Sequence, residues 1–380
     1  MGTVSGLARI GMRGVPALVR SGVAGVAKPL GTALQGLPVA PVRVWQERIG
    51  PDIPLGSLLG VESTVETVDG LHLYVSTDPP EGPVEQDLTL VFLHGYLENL
   101  HYWHYQRIAF RGRVRALYYD ARGHGKSPVG EQPITIDLLV EDLRRVIESI
   151  ETPGPLVLIG HSLGGMTLLG LARRHPELVK ERVAGVGLIA TSANMVDYDI
   201  GLRRFGGALW KVAPSRIDRG LKNPGLRAGV TRFRGLIGAL ESEAVREIAF
   251  ASAVSPELLQ FTAEMIGEAK IETSIGDLLR LFGSHDVTEA LANLQHAEAA
   301  VVTGDRDVIL QVEHSEAIAR GLPKALFSVV PRGGHLVSLE HPEVVNPHLF
   351  GLVQRVRYRL IINWYRSGGR PADEPREGRR

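Results

Sequence analysis

The sequence predicts an α/β protein, built on a mostly parallel, doubly wound sheet with helices on both faces and a helical insertion. Three observations carry this expectation. Short apolar runs bounded by turn residues alternate with amphipathic stretches through the first half of the chain. One such run, Leu156-Val157-Leu158-Ile159, leads through Gly160-His161-Ser162-Leu163-Gly164-Gly165 into Met166 to Arg174, which is proline-free and apolar at helical spacing. Strand patterns then vanish from about Ala193 to Leu294 and return at Ala299.

The chain's 380 residues suit one large α/β domain with an insertion. Lys and Arg total 42, as do Asp and Glu, so no excess charge points to nucleic acid as a partner. There is no cysteine, hence no disulfide framework, thiolate metal site or cysteine nucleophile. That composition fits a reducing compartment, and the cytoplasm is the expected location. No stretch approaches the roughly 18 consecutive apolar residues of a spanning helix.

Residues 1–60 read as a basic, flexible extension. Residues 1–46 hold no Asp or Glu but carry Arg9, Arg13, Arg20, Lys28 and Arg43. On a helical wheel the first three arginines lie opposite Leu7, Val15, Leu18 and Val26, a pattern suited to peripheral contact with an anionic membrane. Pro16 and the many glycines argue against one continuous helix, and a loosely packed extension is the competing expectation. The segment is a poor secretory signal, because no continuous apolar stretch follows its first charges.

The globular part is expected to begin at Val61. Val61 to Val68 and Leu71 to Ser76 alternate as two strands, with Asp69-Gly70 between them as a type I′ hairpin signal. Asp78 to Asp87 reads as a surface loop, and Leu88 to Leu93 as a buried strand entering His94-Gly95-Tyr96. Arg113 to Tyr119 is the next strand, and Asp120 to Ser127 the loop after it. Ile136 to Ile150 is an amphipathic helix, with Leu139, Val140, Leu143, Val146, Ile147 and Ile150 on one face. Val183 to Ala190 is a buried strand. These spans form one core with residues 295–365, and 193–294 reads as a helical cap over the strands' carboxyl ends. Helices are expected there at Leu202 to Val212, Val230 to Leu240, Glu243 to Ser252 and Pro256 to Glu268. Strands at Ala299 to Thr303 and Ala325 to Val330 flank a helix at Val312 to Ala319. A final helix spans His341 to Tyr365, and residues 366–380 read as a disordered tail.

The glycine-flanked serine is the leading chemical candidate. A G-x-S-x-G turn between strand and helix holds its serine in a strained conformation, exposing Oγ, while Gly160 and Gly164 let neighbouring backbone pass close. Serine is a weak nucleophile at neutral pH and needs a base that is itself oriented by a third group. The chain order of Ser, acid, then His offers His335, after Gly333-Gly334, as the base. Asp307 is the preferred acid, with Asp305 in the same loop as its alternative. Asp286, Glu340 and Asp199 are weaker rivals. Backbone N–H groups of Leu163 and Tyr96 are the candidate oxyanion donors. His161 reads as a packed shaping residue. Asp120, Arg122 and His124 read as an ion-paired loop rather than a metal or phosphate site.

Taken together, His94-Gly95, the Asp120 to Ser127 loop, Gly160 to Gly165, Gly304 to Asp307 and Gly334-His335 resemble the α/β-hydrolase superfamily. The resemblance spans roughly residues 60 to 362 and lies with its capped, epoxide-hydrolase-like and esterase branch. It implies an eight-stranded sheet under a helical cap and no cofactor or metal. Ser162 stands where epoxide hydrolases carry an aspartate nucleophile, so an acyl-enzyme route is implied. The resulting expectation is a serine esterase acting on small-molecule or lipid-like carboxylic esters. A C–C bond hydrolase, a haloperoxidase-like perhydrolase, and a non-catalytic binding protein on the same scaffold are the alternatives.

Overall fold

The computed structural model describes residues 53–82, 88–195, 241–270 and 285–367. Eight strands form one sheet in the order β1-β2-β4-β3-β5-β6-β7-β8. They are β1 (Val61–Glu66), β2 (His72–Asp78), β3 (Thr89–Leu93), β4 (Arg115–Tyr119), β5 (Leu156–His161), β6 (Val183–Ile189), β7 (Glu298–Gly304) and β8 (Leu326–Val330). β2 runs antiparallel to β1 and β4, and every pairing from β4 through β8 is parallel. The carboxyl ends of those six strands therefore share one edge, where open α/β sheets place their ligand crevice.

The parallel strands are buried on both faces, which explains their continuous apolar runs. Leu90 and Phe92 of β3, Val157 and Ile159 of β5, and Ala300 and Val302 of β7 enter one core cluster. Their sequence neighbours Val91, Leu93, Leu156, Leu158, Ala299 and Val301 enter the other. The first cluster is covered by α1 (His104–Phe110) and by Leu349, Leu352, Val353 and Val356 of α9 (Pro342–Arg366). Phe92 anchors it, with ring centroids 5.1 Å from Trp103 and 4.7 Å from Tyr118. Each such pair adds about 0.5–1.5 kcal/mol beyond area burial. On the other face lie the apolar stripe of α2 (Ile136–Glu148) and Leu168, Leu169, Leu171 and Ala172 of α3 (Leu163–Arg174). Thr135 caps α2, accepting the Leu138 N–H at 3.1 Å. Among the described residues, three further helices follow in order: α4 (Pro176–Arg182), α5 (Glu241–Ala249) and α6 (Pro256–Glu268). Then come α7 (Val312–Gly321) and the short α8 (Val337–Glu340).

Two local expectations need correction. The turn between β1 and β2 is not type I′: Thr67 and Leu71 close a three-residue loop in which Gly70 alone has positive φ, +79°. Asp69 keeps ordinary φ, and its carboxylate is held by Thr67 Oγ1 and the Arg122 guanidinium. Asp78 is not in a surface loop but ends β2, fully buried against Arg107 at 2.8 Å. A buried carboxylate needs such a partner, and Arg107 meets it with two nitrogens.

Of the helices expected between β6 and β7, α5 and α6 lie among the described residues. Leu202 to Val212 and Val230 to Leu240 lie outside them, as do residues 1–52 and 368–380. Phe250, Leu258 and Met265 of the described part join the core cluster that holds Trp103 and Leu336. Among the described residues no helix is long and apolar enough to cross a membrane.

Candidate active site

Ser162 occupies the turn between β5 and α3 at φ 48°, ψ −117°. This backbone region is costly for a residue with a Cβ, by about 1–3 kcal/mol. The turn is over-determined from both sides. Ser162 N–H donates to Ile189 O at 3.0 Å, and Ser162 O accepts from Met166 N–H and Thr191 Oγ1. A Cβ on Gly164 would stand 2.3 Å from Leu93 O, so β3 and the start of α3 approach through that glycine. Leu163 opens α3, and its N–H is among the first-turn donors without an intrahelical acceptor.

His335 and Asp307 reach this serine from the ends of β8 and β7. Ser162 Oγ lies 3.0 Å from His335 Nε2, and His335 Nδ1 lies 2.7 Å from Asp307 Oδ2. All three side chains are buried. The other Asp307 oxygen accepts N–H bonds from Ile309 at 2.8 Å and Leu310 at 2.9 Å, which fixes the carboxylate plane. These partners specify the tautomer: Nδ1–H donates to Asp307, leaving Nε2 to accept the Ser162 proton. Burial pulls the affinity of His335 for a proton down, but the Asp307 charge and hydrogen bond outweigh it and raise its pKa above 6.5.

The rivals for the acid fall elsewhere. Asp305 is exposed, its own N–H bonded to Val330 O. Asp286 accepts from Thr288, and Asp199 lies outside the described residues. Glu340 instead clasps the loops, accepting the N–H groups of Ala251, Ser252 and Gly334. With the bond from Leu336 N–H to Ala249 O, it ties the end of α5 to the turn that carries His335.

The loop after β3 brings His94, Gly95 and Tyr96 to the same edge. His94 is structural: Nε2 accepts the Ala121 N–H at 2.9 Å, Nδ1 faces Gly95 O at 2.8 Å, and burial lowers its pKa to about 3. Leu97, just after Tyr96, has φ 62°, a tight left-handed turn. Asp120 accepts the N–H groups of Leu100 and Lys126, and burial raises its pKa to about 6. Arg122 is buried between Asp142, at 2.6 Å, and Asp69, at 2.9 Å. His124 packs with Nδ1 2.9 Å from Arg122 O. This loop is thus a structural brace, and among the described residues no group of His, Asp and Glu could hold a metal ion. His161 is a buried shaping residue whose ring stacks on Tyr102 at 4.4 Å. No sequence motif marks Glu98 or Glu340 as a framework residue. The one signal for Glu98 is its place in the loop of His94 and Gly95.

A mostly parallel sheet with a strained serine elbow facing a histidine–aspartate pair defines a hydrolase-type centre. Residues 90–348 match the alpha/beta hydrolase family, and the chain belongs to that family. It is 29% identical over 274 residues to a dihydrolipoyllysine-residue acetyltransferase component of an acetoin cleaving system from Pseudomonas putida, covering 70% of this chain and 63% of that protein. A 98-residue stretch is 39% identical to an sn-1-specific diacylglycerol lipase of Danio rerio, covering 25% of this chain and 30% of the lipase. The chain thus spans less than two thirds of the length of these curated relatives. Among solved structures, a thermophilic esterase from Thermogutta terrifontis superposes with a TM-score of 0.58 at 23% identity, covering 78% of this chain and 99% of that one. That likeness is one of fold.

Proposed function

We propose that this α/β hydrolase is a serine carboxylic-ester hydrolase in which Ser162 is the nucleophile, His335 the general base and Asp307 its orienting acid. One observation carries the reading: the unbroken hydrogen-bond chain from Ser162 Oγ through His335 to Asp307, at 3.0 and 2.7 Å. Ser162 Oγ attacks the ester carbonyl while His335 Nε2 takes its proton. The N–H groups of Tyr96 and Leu163 receive the oxyanion. Collapse expels the alcohol, which leaves with the proton from Nε2, and the acyl group stays on Oγ. His335 then deprotonates a water that attacks the acyl carbonyl. The acid departs, and the proton returns from His335 to Ser162 Oγ. Asp307 orients His335 and stabilises the imidazolium.

The substrate class is a hydrophobic or lipid-like acyl ester. Helices α5 and α6, with the end of α5 bonded to the His335 turn, support this as part of a cap, and the acid-free, arginine-bearing residues 1–46 support contact with a membrane surface. The relative named as a diacylglycerol lipase points the same way. p-Nitrophenyl esters of graded chain length test the class. Hydrolysis that rises toward long chains supports it, and turnover confined to acetate or butyrate refutes it. Peracid formation or C–C cleavage in place of ester turnover replaces the reaction itself.

A further inference from the structure

Behind the proposed base lies a second acid–histidine pair that the mechanism above does not use. Glu98 and His161 are both buried, on the loop after β3 and at the end of β5. Glu98 Oε2 accepts the Gly95 N–H at 2.5 Å, and Oε1 lies 2.9 Å from His161 Nδ1. His161 Nε2 in turn lies 3.0 Å from the backbone carbonyl oxygen of His335. One continuous path of direct contacts thus joins the backbone beside Tyr96 to the backbone of the base, through two side chains.

Both ring nitrogens of His161 face acceptors, which constrains the protons. Nε2 must carry hydrogen to donate to the His335 carbonyl. On its other side the ring meets the Glu98 carboxyl through Nδ1, 2.9 Å from Oε1. Gly95 is required by the same arrangement. A Cβ there would lie 2.8 Å from Glu98 Oε1 and 2.8 Å from His161 Nδ1. Tyr102, stacked on the imidazole, closes its free face.

We infer that Glu98 and His161 are positioning residues that lock the oxyanion loop and the general base into one rigid unit. The inference rests on the ester-hydrolase reading of Ser162. Acylation needs Nε2 of His335 and the Tyr96 N–H placed together about Ser162 Oγ, and misplacement by about 1 Å can cost about 100-fold in rate. Each loop alone leaves the end of a different strand. The pair supplies a direct link between them, so it acts on the transition state rather than on substrate binding.

Reach and the carboxyl group itself can be separated at Glu98. Glu98→Asp keeps the carboxyl group but withdraws it by about 1.5 Å, one methylene, so it cannot serve Gly95 and His161 together. Glu98→Gln replaces the carboxyl group but keeps every bond. Its carbonyl accepts from Gly95, its amide donates to His161 Nδ1, and Nε2–H still donates to His335 O. Steady-state ester hydrolysis is measured per site titrated by a fluorophosphonate probe, so that any misfolded fraction drops out. Glu98→Asp and His161→Ala are expected to lower kcat about 10–100-fold with KM within about threefold of the parent. Glu98→Gln is expected to stay within about threefold of the parent, and the double variant Glu98→Asp/His161→Ala to fall no further than either single one. Parental kcat in Glu98→Asp overturns the inference, as does a loss confined to KM. Glu98→Gln as impaired as Glu98→Asp overturns it too, because the carboxyl group rather than its reach would then govern. Failure of the ester-hydrolase reading is seen separately, in a parent protein that neither labels nor turns over.

Discussion

The backbone of Ser162 makes a prediction that separates strain from chemistry. At φ 48°, ψ −117° the Cβ is what makes this conformation costly, and glycine would adopt it freely. Ser162→Ala and Ser162→Gly both delete Oγ and its hydrogen bond to His335, so that loss cancels in comparing them. Glycine also releases strain of about 1–3 kcal/mol. Against this, glycine gives the unfolded chain more freedom than alanine, by about 0.5–1 kcal/mol. The balance leaves Ser162→Gly more stable than Ser162→Ala by about 1 kcal/mol. Urea unfolding followed by circular dichroism measures it, as a higher midpoint for the glycine variant at equal slope. Both variants are expected to be inactive. A glycine variant equal to or less stable than the alanine variant would refute the claim that the elbow stores strain.

Four further predictions concern the acid, the base and the brace. Asp307→Asn, which keeps the side-chain size but removes the charge that holds the His335 tautomer, should lower kcat about 10³–10⁴-fold; activity within tenfold of the parent would reassign the acid. Because the pKa of His335 is raised above 6.5, kcat/KM should fall on acidification with a midpoint above that value. Protonated His335 likewise stabilises the fold fully below pH 6.5, and the contribution fades as pH rises through the raised native value. His335→Gln should therefore cost more stability below pH 6.5 than above the native midpoint, and the opposite order in unfolding experiments would contradict the shift. Asp142→Ala leaves the fully buried Arg122 with Asp69 as its remaining carboxylate, and should destabilise by about 3 kcal/mol in urea unfolding; a change under 1 kcal/mol would mean the brace is dispensable.

Much of the sheet was legible because its strands are buried on both faces and read as unbroken apolar runs. Leu156 to Ile159 and Val183 to Ile189 are examples. The amphipathic α2 was legible for the same reason, since Val140, Leu143, Val146 and Ile147 recur at helical spacing. Tertiary contacts decided the places where the reading failed. Asp78 looks like a loop residue until Arg107, distant in sequence, supplies its partner. Asp69-Gly70 looks like a two-residue turn until Thr67 and Arg122 hold the aspartate. The short 3-10 turn Leu100–Trp103 has no periodicity to detect; Asn99 caps it and Asp120 holds its first N–H. The residues around Ser162 were readable from local turn chemistry and chain order. The preference for Asp307 over Asp305 came from the sequence, and the structure adds that, though both follow the same strand, Asp307 is buried beside His335 and Asp305 is exposed. Glu98 carries no motif of its own, and its partners emerge only when the ends of β3, β5 and β8 meet.

The central claim is that Ser162 is an activated nucleophile, and covalent labelling addresses it most directly. The intact protein is treated with a fluorophosphonate, digested and mapped by mass spectrometry, with Ser162→Ala alongside. The account predicts one stoichiometric adduct on the peptide containing Ser162, formed faster as pH rises through the His335 midpoint and absent in the variant. An unlabelled protein, or an adduct that persists in Ser162→Ala, would contradict it.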